Sequence, residues 1–459
     1  MKDYIQKMQT GGDIVSAITA FVEESKKINE DNHYFTVITE AQAIEQAKNI
    51  QKQALTKKFP LAGLPFTVKD GICVQGVETT ASSAILKGYK PVFNATAVQR
   101  MIDAGAIFIG KTVQDEFGFG ALGITQGKGF QAPKHPDDPE LCCGGSSSGG
   151  GGFTKKIPGA HASLGESTGG SIEAPAAFCG VVGLCPTYSR VSRYGLLDYG
   201  TSLDKIGPLT KTLPEAATIL QVIAGHDKKD ETSSQEPVPD YAASLGNIKG
   251  LRIAKIKEAF AEGVDESIKN SVHEKLTELE KQGATVREVS LPSLKEGIAT
   301  YFTIALSEAS TNLAKYCGMR YGQSGSMNTS FDEYFTKIRT HHMGEEAKRR
   351  VLIGTFARMA GYRDAFYNKA LKVRTKIIQE YKQAFKACDV LSSPTMPILP
   401  PKQTEAHNLT PLQHLMCDVL TVGPNLAGLP HVSVPAGKAG IMFIADHFKE
   451  EELFRTHAE

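Results

Sequence analysis

The chain has 459 residues, with 51 Lys and Arg against 50 Asp and Glu, a net charge of +1 with histidine neutral. That length is about two to three times an ordinary domain, enough to bury a large core. The charge balance argues against broad, sequence-independent nucleic-acid binding, which needs a surplus of cations to displace counterions. A local basic patch, or contact with RNA through a partner chain, stays open. No run approaches the roughly 20 apolar residues of a membrane span, and MKDYIQKMQT at the start lacks the apolar stretch of a secretory signal. The eight cysteines are scattered without a C-x-x-C pair or zinc-ligand spacing, and Cys142 and Cys143 are adjacent. Reduced, mostly buried thiols in a cytoplasmic protein are the expectation.

In chain order, residues 1–60 read as helices. Ile14, Ile18, Phe21 and Val22 recur at helical spacing, and 40–59 is rich in Ala, Gln and Lys with no breaker before Pro60. From Leu64 the pattern changes to FTVKDGICV, a helix over 95–104, then AIFIGKT, which is the order of a β-α-β unit. Glycine is concentrated between 105 and 207, with GGSSSGGGG at 144–152 reading as a connection. Further on, 213–224 reads as a helix, LRIAKI as a strand, 265–283 as an amphipathic helix and ATVREVSL as a strand. The spans 300–320 and 345–387 are helical, VLSSP (390–394) returns to strand, and 411–428 to helix. Residues 226–240 form a surface loop. No linker or repeat divides the chain, so a single α/β domain over 1–459 is expected.

Two segments carry the chemical signal: Cys143-Gly-Gly-Ser146-Ser147-Ser148-Gly149 and Gly165-Glu-Ser-Thr168-Gly169-Gly170-Ser171-Ile172. A serine is a poor nucleophile until a base removes its proton and donors stabilise the oxyanion. Glycines just before a serine let the chain turn sharply and expose N–H groups, so Thr168, Gly169 and Gly170 suit an oxyanion hole and Ser171 a nucleophile. The helix expected from Ile172 onward would favour the same negative charge. No Gly-Lys-Ser/Thr phosphate loop, dinucleotide fingerprint or G-x-S-x-G elbow is present. A histidine-based triad is open in principle with 12 histidines, but none has comparable context. Lys69 ends an apolar strand just before Gly71, a poor place for a solvated lysine. Burial disfavours the ammonium form, so such a lysine can be neutral and act as a base.

These elements together resemble the amidase signature family. The match is dense and colinear over 63–224, through GLPFTVKD, GAIFIGKTVQDEFGFG, CGGSSSGG and STGGSIEAPAAFCGVVGLCPTYSRVSRYGLLDYGTSLDKIGPLT. The resemblance implies one large mixed, mostly parallel sheet flanked by helices on both faces, and a Ser–cis-Ser–Lys triad. Ser171 matches the nucleophile, Ser146 the bridging serine after a cis peptide, and Lys69 the base. The spacing between the serines is one residue longer than the usual family pattern, so Ser147 is the alternative if the extra residue falls inside the serine run. Ser167 and Glu173 stand where the family often has Asp and Arg, and Cys185 where Lys is common. The chain is also shorter than the pattern after Pro435, at a sheet-edge strand or a substrate-side loop.

The second half, through Tyr301-Phe-Thr-Ile-Ala-Leu-Ser307-Glu308, Lys348-Arg349-Arg350-Val and Asp418-Val-Leu-Thr-Val-Gly-Pro-Asn425, resembles the branch formed by the A subunits of aspartyl/glutamyl-tRNA amidotransferases. That implies a glutaminase whose Arg350 (or Arg349) and Asp418 hold the α-carboxylate and α-ammonium of glutamine, with Tyr301 nearby, on helices spanning 290–430 that also face a partner. A guanidinium can grip a carboxylate with two parallel bonds. It further implies a B subunit, usually with a small C subunit. Ammonia would there convert Glu-tRNA(Gln) or Asp-tRNA(Asn), with ATP and magnesium in the partner and neither a cofactor nor a metal held by this chain. Two rival readings are a free-standing amidase for small amides, which needs no zwitterion clamp, and a non-enzymatic assembly protein, which needs no triad.

Overall fold

The computed structural model describes residues 1–54 and 56–457; Leu55, inside the expected helical stretch 40–59, and positions 458–459 lie outside the described residues. The first helices are α1 (Lys2–Gln9), α2 (Ile14–Asn32), capped by the Asp13 carboxylate, and α3 (Glu40–Gln53). Between α2 and α3 lies a strand absent from the sequence expectation, β1 (Phe35–Ile38). It is too short to show a period of its own and is held by pairing with β3. Then come β2 (Pro65–Lys69), α4 (Thr96–Asp103), β3 (Ile107–Thr112), α5 (Ser148–Lys156), β4 (Ala162–Ser167), α6 (Glu173–Cys179), β5 (Val182–Cys185), β6 (Lys205–Thr210) and α7 (Leu213–Ile223).

The second half runs β7 (Arg252–Ile256), α8 (Glu266–Lys281), β8 (Thr285–Val289), α9 (Gly297–Asn312), α10 (Phe331–His342) and α11 (Glu345–Arg358). It continues with a π-helical turn (Asp364–Asn368), α12 (Lys369–Ala384), β9 (Val390–Pro394), α13 (Gln403–Ala406) and α14 (Pro411–Met416). The last elements are α15 (Val422–Ala427), β10 (His431–Ala436), β11 (Ala439–Ala445) and α16 (Glu450–Phe454). Two expected helices are therefore broken. The stretch 345–387 is interrupted after Arg358, and 411–428 opens into a turn that holds Asp418. No helix among the described residues is long and apolar enough to cross a membrane.

All eleven strands join one mixed sheet in the order β1-β3-β2-β4-β6-β5-β10-β11-β9-β7-β8. The expected α/β sheet is present, but its parallel character is confined to β3-β2-β4 and β9-β7-β8, which supply four pairings. The other six are antiparallel: β4, β6, β5, β10, β11 and β9 run alternately up and down, which makes five, and β1 against β3 is the sixth. Strands β10 and β11 form a tight hairpin inside the sheet, so the shortened segment after Pro435 is not at a sheet edge.

Side chains alternate between faces along a strand. Ile253, Val390, Ile441 and Phe443 enter one core with α4, α7 and α8, while Ala254, Leu391, Met442 and Ile444 enter another with α9 and α12. Helices thus cover both faces. On β2, Phe66 and Val68 belong to the first core, which turns Lys69 to the opposite face.

Candidate active site

The 144–152 segment is where local reading and structure differ most. Gly149–Gly152, expected in a connection, form the first turns of α5. The glycines are needed for close approach: a Cβ on Gly149 would lie 2.4 Å from the Tyr34 carbonyl oxygen, and one on Gly152 2.3 Å from the Tyr34 ring. Four glycines in a helix cost about 1 kcal/mol each relative to alanine, and packing against Tyr34 and Pro175 overrides that preference. Just before α5, the Gly145–Ser146 peptide is cis. Asp115 supports this turn, since a Cβ on Gly145 would collide with its carboxylate. That carboxylate accepts from the Thr125 N–H at 2.7 Å and the Gly123 N–H at 3.2 Å.

Lys69 is fully buried at the end of β2, and its Nζ lies 2.6 Å from the Ser146 hydroxyl. Ser147 faces elsewhere, donating its hydroxyl to the Glu166 carbonyl at 3.2 Å and its N–H to the Ser171 carbonyl at 3.0 Å. Of the two candidate bridging serines, Ser146 is therefore the one the lysine reaches. Ser171, 7% exposed, lies between β4 and α6. Gly169 and Gly170 make no backbone N–H hydrogen bond among the described residues, which leaves donors free beside the serine. Helix α6 has only seven residues and starts at Glu173, so the dipole expected from Ile172 onward is a minor contribution.

The glycine pair is also where the second half meets the first. A Cβ on Gly169 would lie 2.3 Å from the Tyr301 ring, and one on Gly170 3.1 Å from an Asp418 carboxylate oxygen. Tyr301 arrives on α9 and Arg350 on α11, which cross at Gly354, where a Cβ would lie 1.8 Å from the Leu306 carbonyl oxygen. Arg350 is buried, donates to the Tyr199 hydroxyl at 2.9 Å and to Glu346 at 2.6 Å, and lies over the rings of Phe119 and Phe302. Arg349 points outward and pairs with Glu346. Asp418 is half-buried in the turn between α14 and α15. Loss of hydration pushes its carboxyl up to about 7 against the pull of Arg350, with Glu173 and Asp115 adding to the rise. A carboxylate thus borders the glycine pair, and the buried guanidinium is joined to Tyr199.

Several groups were not picked out by their sequence context. Glu166 places a carboxylate oxygen 2.8 Å and its carbonyl 2.9 Å from the Lys69 nitrogen, so the lysine is buried with a counter-ion, not alone. The Thr168 hydroxyl lies 2.7 Å from both Glu166 and Asp204. Behind the nucleophile, Glu173 contacts His431 and accepts from the Ser167 hydroxyl at 2.9 Å. Burial alone would raise the Glu173 carboxyl, but His431 and Lys205 hold it down at about 2. Ser167 and Glu173, joined by that hydrogen bond, occupy the positions where the sequence departs from the Asp and Arg of the family pattern. The signal available was a charged residue inside a run of small ones, SLGESTGGSIEA.

Glu173, Cys185 and His431 bring three metal-type ligand atoms within 4.8 Å of one another. Cys185 and His431 are cross-strand partners of β5 and β10. The Asn425 amide nitrogen, however, lies 3.4 Å from Glu173 and 3.3 Å from the His431 Nε2, and Lys205 adds a positive charge. Donors and a cation ringing the three suit a buried, hydrogen-bonded carboxylate better than a metal, and burial pulls the His431 imidazole below its usual value.

A protein-family model described as Amidase matches residues 16–454. The A subunit of the Geobacillus kaustophilus glutamyl-tRNA(Gln) amidotransferase is 43% identical over 454 residues, covering 96% of this chain and 92% of that protein. Its Streptococcus sanguinis counterpart is 40% identical, covering 92% and 87%. Among solved structures, the A subunit of the Thermotoga maritima glutamyl-tRNA(Gln) amidotransferase superposes with a TM-score of 0.80 at 32% identity, covering 98% of this chain and 92% of that one. The peptide amidase of Stenotrophomonas maltophilia shares the fold with a TM-score of 0.80 at 24% identity, covering 98% and 94%.

Proposed function

The chain belongs to the amidase family, and from that premise we propose that it is the glutamine-hydrolysing component of a tRNA-dependent amidotransferase. The observation that carries this reading is a Lys69–Ser146 contact beside Ser171, together with a half-buried carboxylate at Gly170 and a buried arginine on α11. A small-amide hydrolase needs only the first of these.

In the proposed reaction, the Lys69 amine takes a proton from Ser146, which takes one from Ser171 as that oxygen attacks the glutamine carboxamide carbon. Backbone N–H groups of Thr168, Gly169 and Gly170 hold the oxyanion. The proton returns to the leaving nitrogen, ammonia departs, and a glutamyl ester remains on Ser171. Water then cleaves the ester by the same proton path in reverse. Asp418 holds the glutamine ammonium and Arg350 its carboxylate, with Tyr301 closing the wall between them. Ammonia passes to a B subunit, bridged by a C subunit, where Glu-tRNA(Gln) or Asp-tRNA(Asn) is activated with ATP and magnesium and amidated. The near-zero charge of this chain fits a division in which the partner grips the tRNA.

The test is transfer of amide-labelled glutamine nitrogen to Glu-tRNA or Asp-tRNA by the chain together with its candidate B partner. Transfer that depends on Ser171 supports the proposal. Hydrolysis of small amides with no transfer from glutamine rejects it in favour of a free-standing amidase.

A further inference from the structure

The contacts of Lys69 bear on how many protons its nitrogen carries. It has three polar neighbours: the Glu166 carbonyl at 2.9 Å, the Glu166 carboxylate at 2.8 Å and the Ser146 hydroxyl at 2.6 Å. A carbonyl and a carboxylate oxygen only accept, so each takes one N–H, whereas a hydroxyl both donates and accepts. With a third proton, the nitrogen donates to Ser146 and cannot take its proton. Without it, the nitrogen lone pair faces the Ser146 O–H and the base is ready. The two states keep the same three contacts and differ in the direction of one hydrogen bond.

Charge decides between them. A buried lysine with no counter-ion gives up its proton easily, and an opposite charge within hydrogen-bond distance retains it. The side chains of Lys69 and Glu166 are 1% and 6% exposed, so solvent screens the pair weakly. The other charged groups facing them are Asp115, from the loop after β3, and Asp204, from the loop before β6, with Arg193 near Asp204. Thr168 has one hydroxyl proton but faces two carboxyls at 2.7 Å each, so one of these is protonated and donates to it. Burial and the neighbouring Glu166 raise the Asp204 carboxyl well above its usual range, which makes Asp204 the one that donates to Thr168.

On the reading of Lys69 as the base that acts through Ser146, we infer that Glu166 is a positioning residue that keeps the third proton on the resting lysine. Activation of Ser171 therefore waits until the pair releases one proton to water. Glu166 thus sets the pH at which the serine becomes nucleophilic.

The experiment is the rate of sulfonylation of Ser171 by phenylmethanesulfonyl fluoride as a function of pH, read by intact-protein mass spectrometry. It requires no knowledge of the amide substrate. In Glu166→Gln the acid limb moves to lower pH by about 1–3 units, with the high-pH rate retained. Glu166→Asp, which keeps a carboxylate, and Asp204→Asn, which replaces a carboxyl already neutral, leave the limb near that of the wild type. An acid limb in Glu166→Gln that coincides with the wild type, while the high-pH rate falls, means a merely structural role and overturns the inference. If Glu166→Gln does not fold, Glu166→Ser gives the same readout. Absence of labelling in the wild type at every pH would instead remove Ser171 as the nucleophile, and the inference with it.

Discussion

The serine–glycine core and the helices that close over it are built differently. Lys69 of β2, Ser146 of the cis turn and Ser171 are buried, and Lys69 is hydrogen-bonded to Ser146 and to Glu166 of β4. The region 297–420 meets that core through Tyr301, Arg350 and a half-buried Asp418, and leaves an apolar surface on α11 and beyond, with Leu352 70% exposed. The difference separates two tasks. On the proposed function, bond-making geometry is fixed by short backbone turns that tolerate little change, while choice of substrate rests on side chains brought in by α9, α11 and the turn before α15. The second region can therefore be altered without silencing the first.

The strongest way to break this division is Ser171→Ala, which is expected to lower ammonia release from glutamine by about 10⁴-fold or more while leaving the fold intact. Lys69→Ala follows, with a loss of about 10²–10⁴-fold. It also leaves Glu166 buried without its partner, at a cost of about 3–5 kcal/mol seen in urea unfolding. In the helical region, Asp418→Asn is expected to raise KM for glutamine about tenfold or more, the value of a charged hydrogen bond, and to leave turnover of a small neutral amide unchanged. Because the Asp418 carboxyl is raised to about 7, it is ionised above that pH and neutral below. KM for glutamine should therefore rise as pH falls through 7 in the wild type, and that slope should vanish in Asp418→Asn. If the variant slows both substrates equally, the separation of tasks fails.

Two smaller effects sharpen it. The Glu173 carboxyl lies at about 2 in the folded chain, below its ordinary 4.5. Its contribution to stability is thus fully present above 4.5 and lost as pH falls through 2. Thermal unfolding between pH 5 and pH 2 should show this slope in the wild type and lack it in Glu173→Gln. Leu352→Ser, on the exposed face of α11, should change the stability of the isolated chain by no more than about 0.5 kcal/mol.

What the sequence made legible follows the same line. Lys69 at a strand end, the Ser171 segment after β4 and the first β-α-β unit are local patterns, and the structure has them where the sequence pattern put them. The helix at 148–156 was not legible because its glycines answer to Tyr34, more than a hundred positions away. Nor was the role of Glu166, whose neighbour Lys69 is 97 positions distant, or the pairing of Glu173 with His431 across 258. Asp418 was expected on a continuous helix, yet the turn between α14 and α15 is what lets its carboxylate reach Gly170. Groups joined only by tertiary approach leave no periodic trace in the chain.

The most direct test of a glutamine-specific serine amidase is ammonia release from glutamine and from propionamide, each by the wild type, Ser171→Ala and Asp418→Asn in the presence of the B partner. The account predicts release that requires Ser171, favours glutamine strongly, and loses that preference in Asp418→Asn. Ser171-dependent hydrolysis of propionamide that equals or exceeds that of glutamine, indifferent to Asp418, would contradict it.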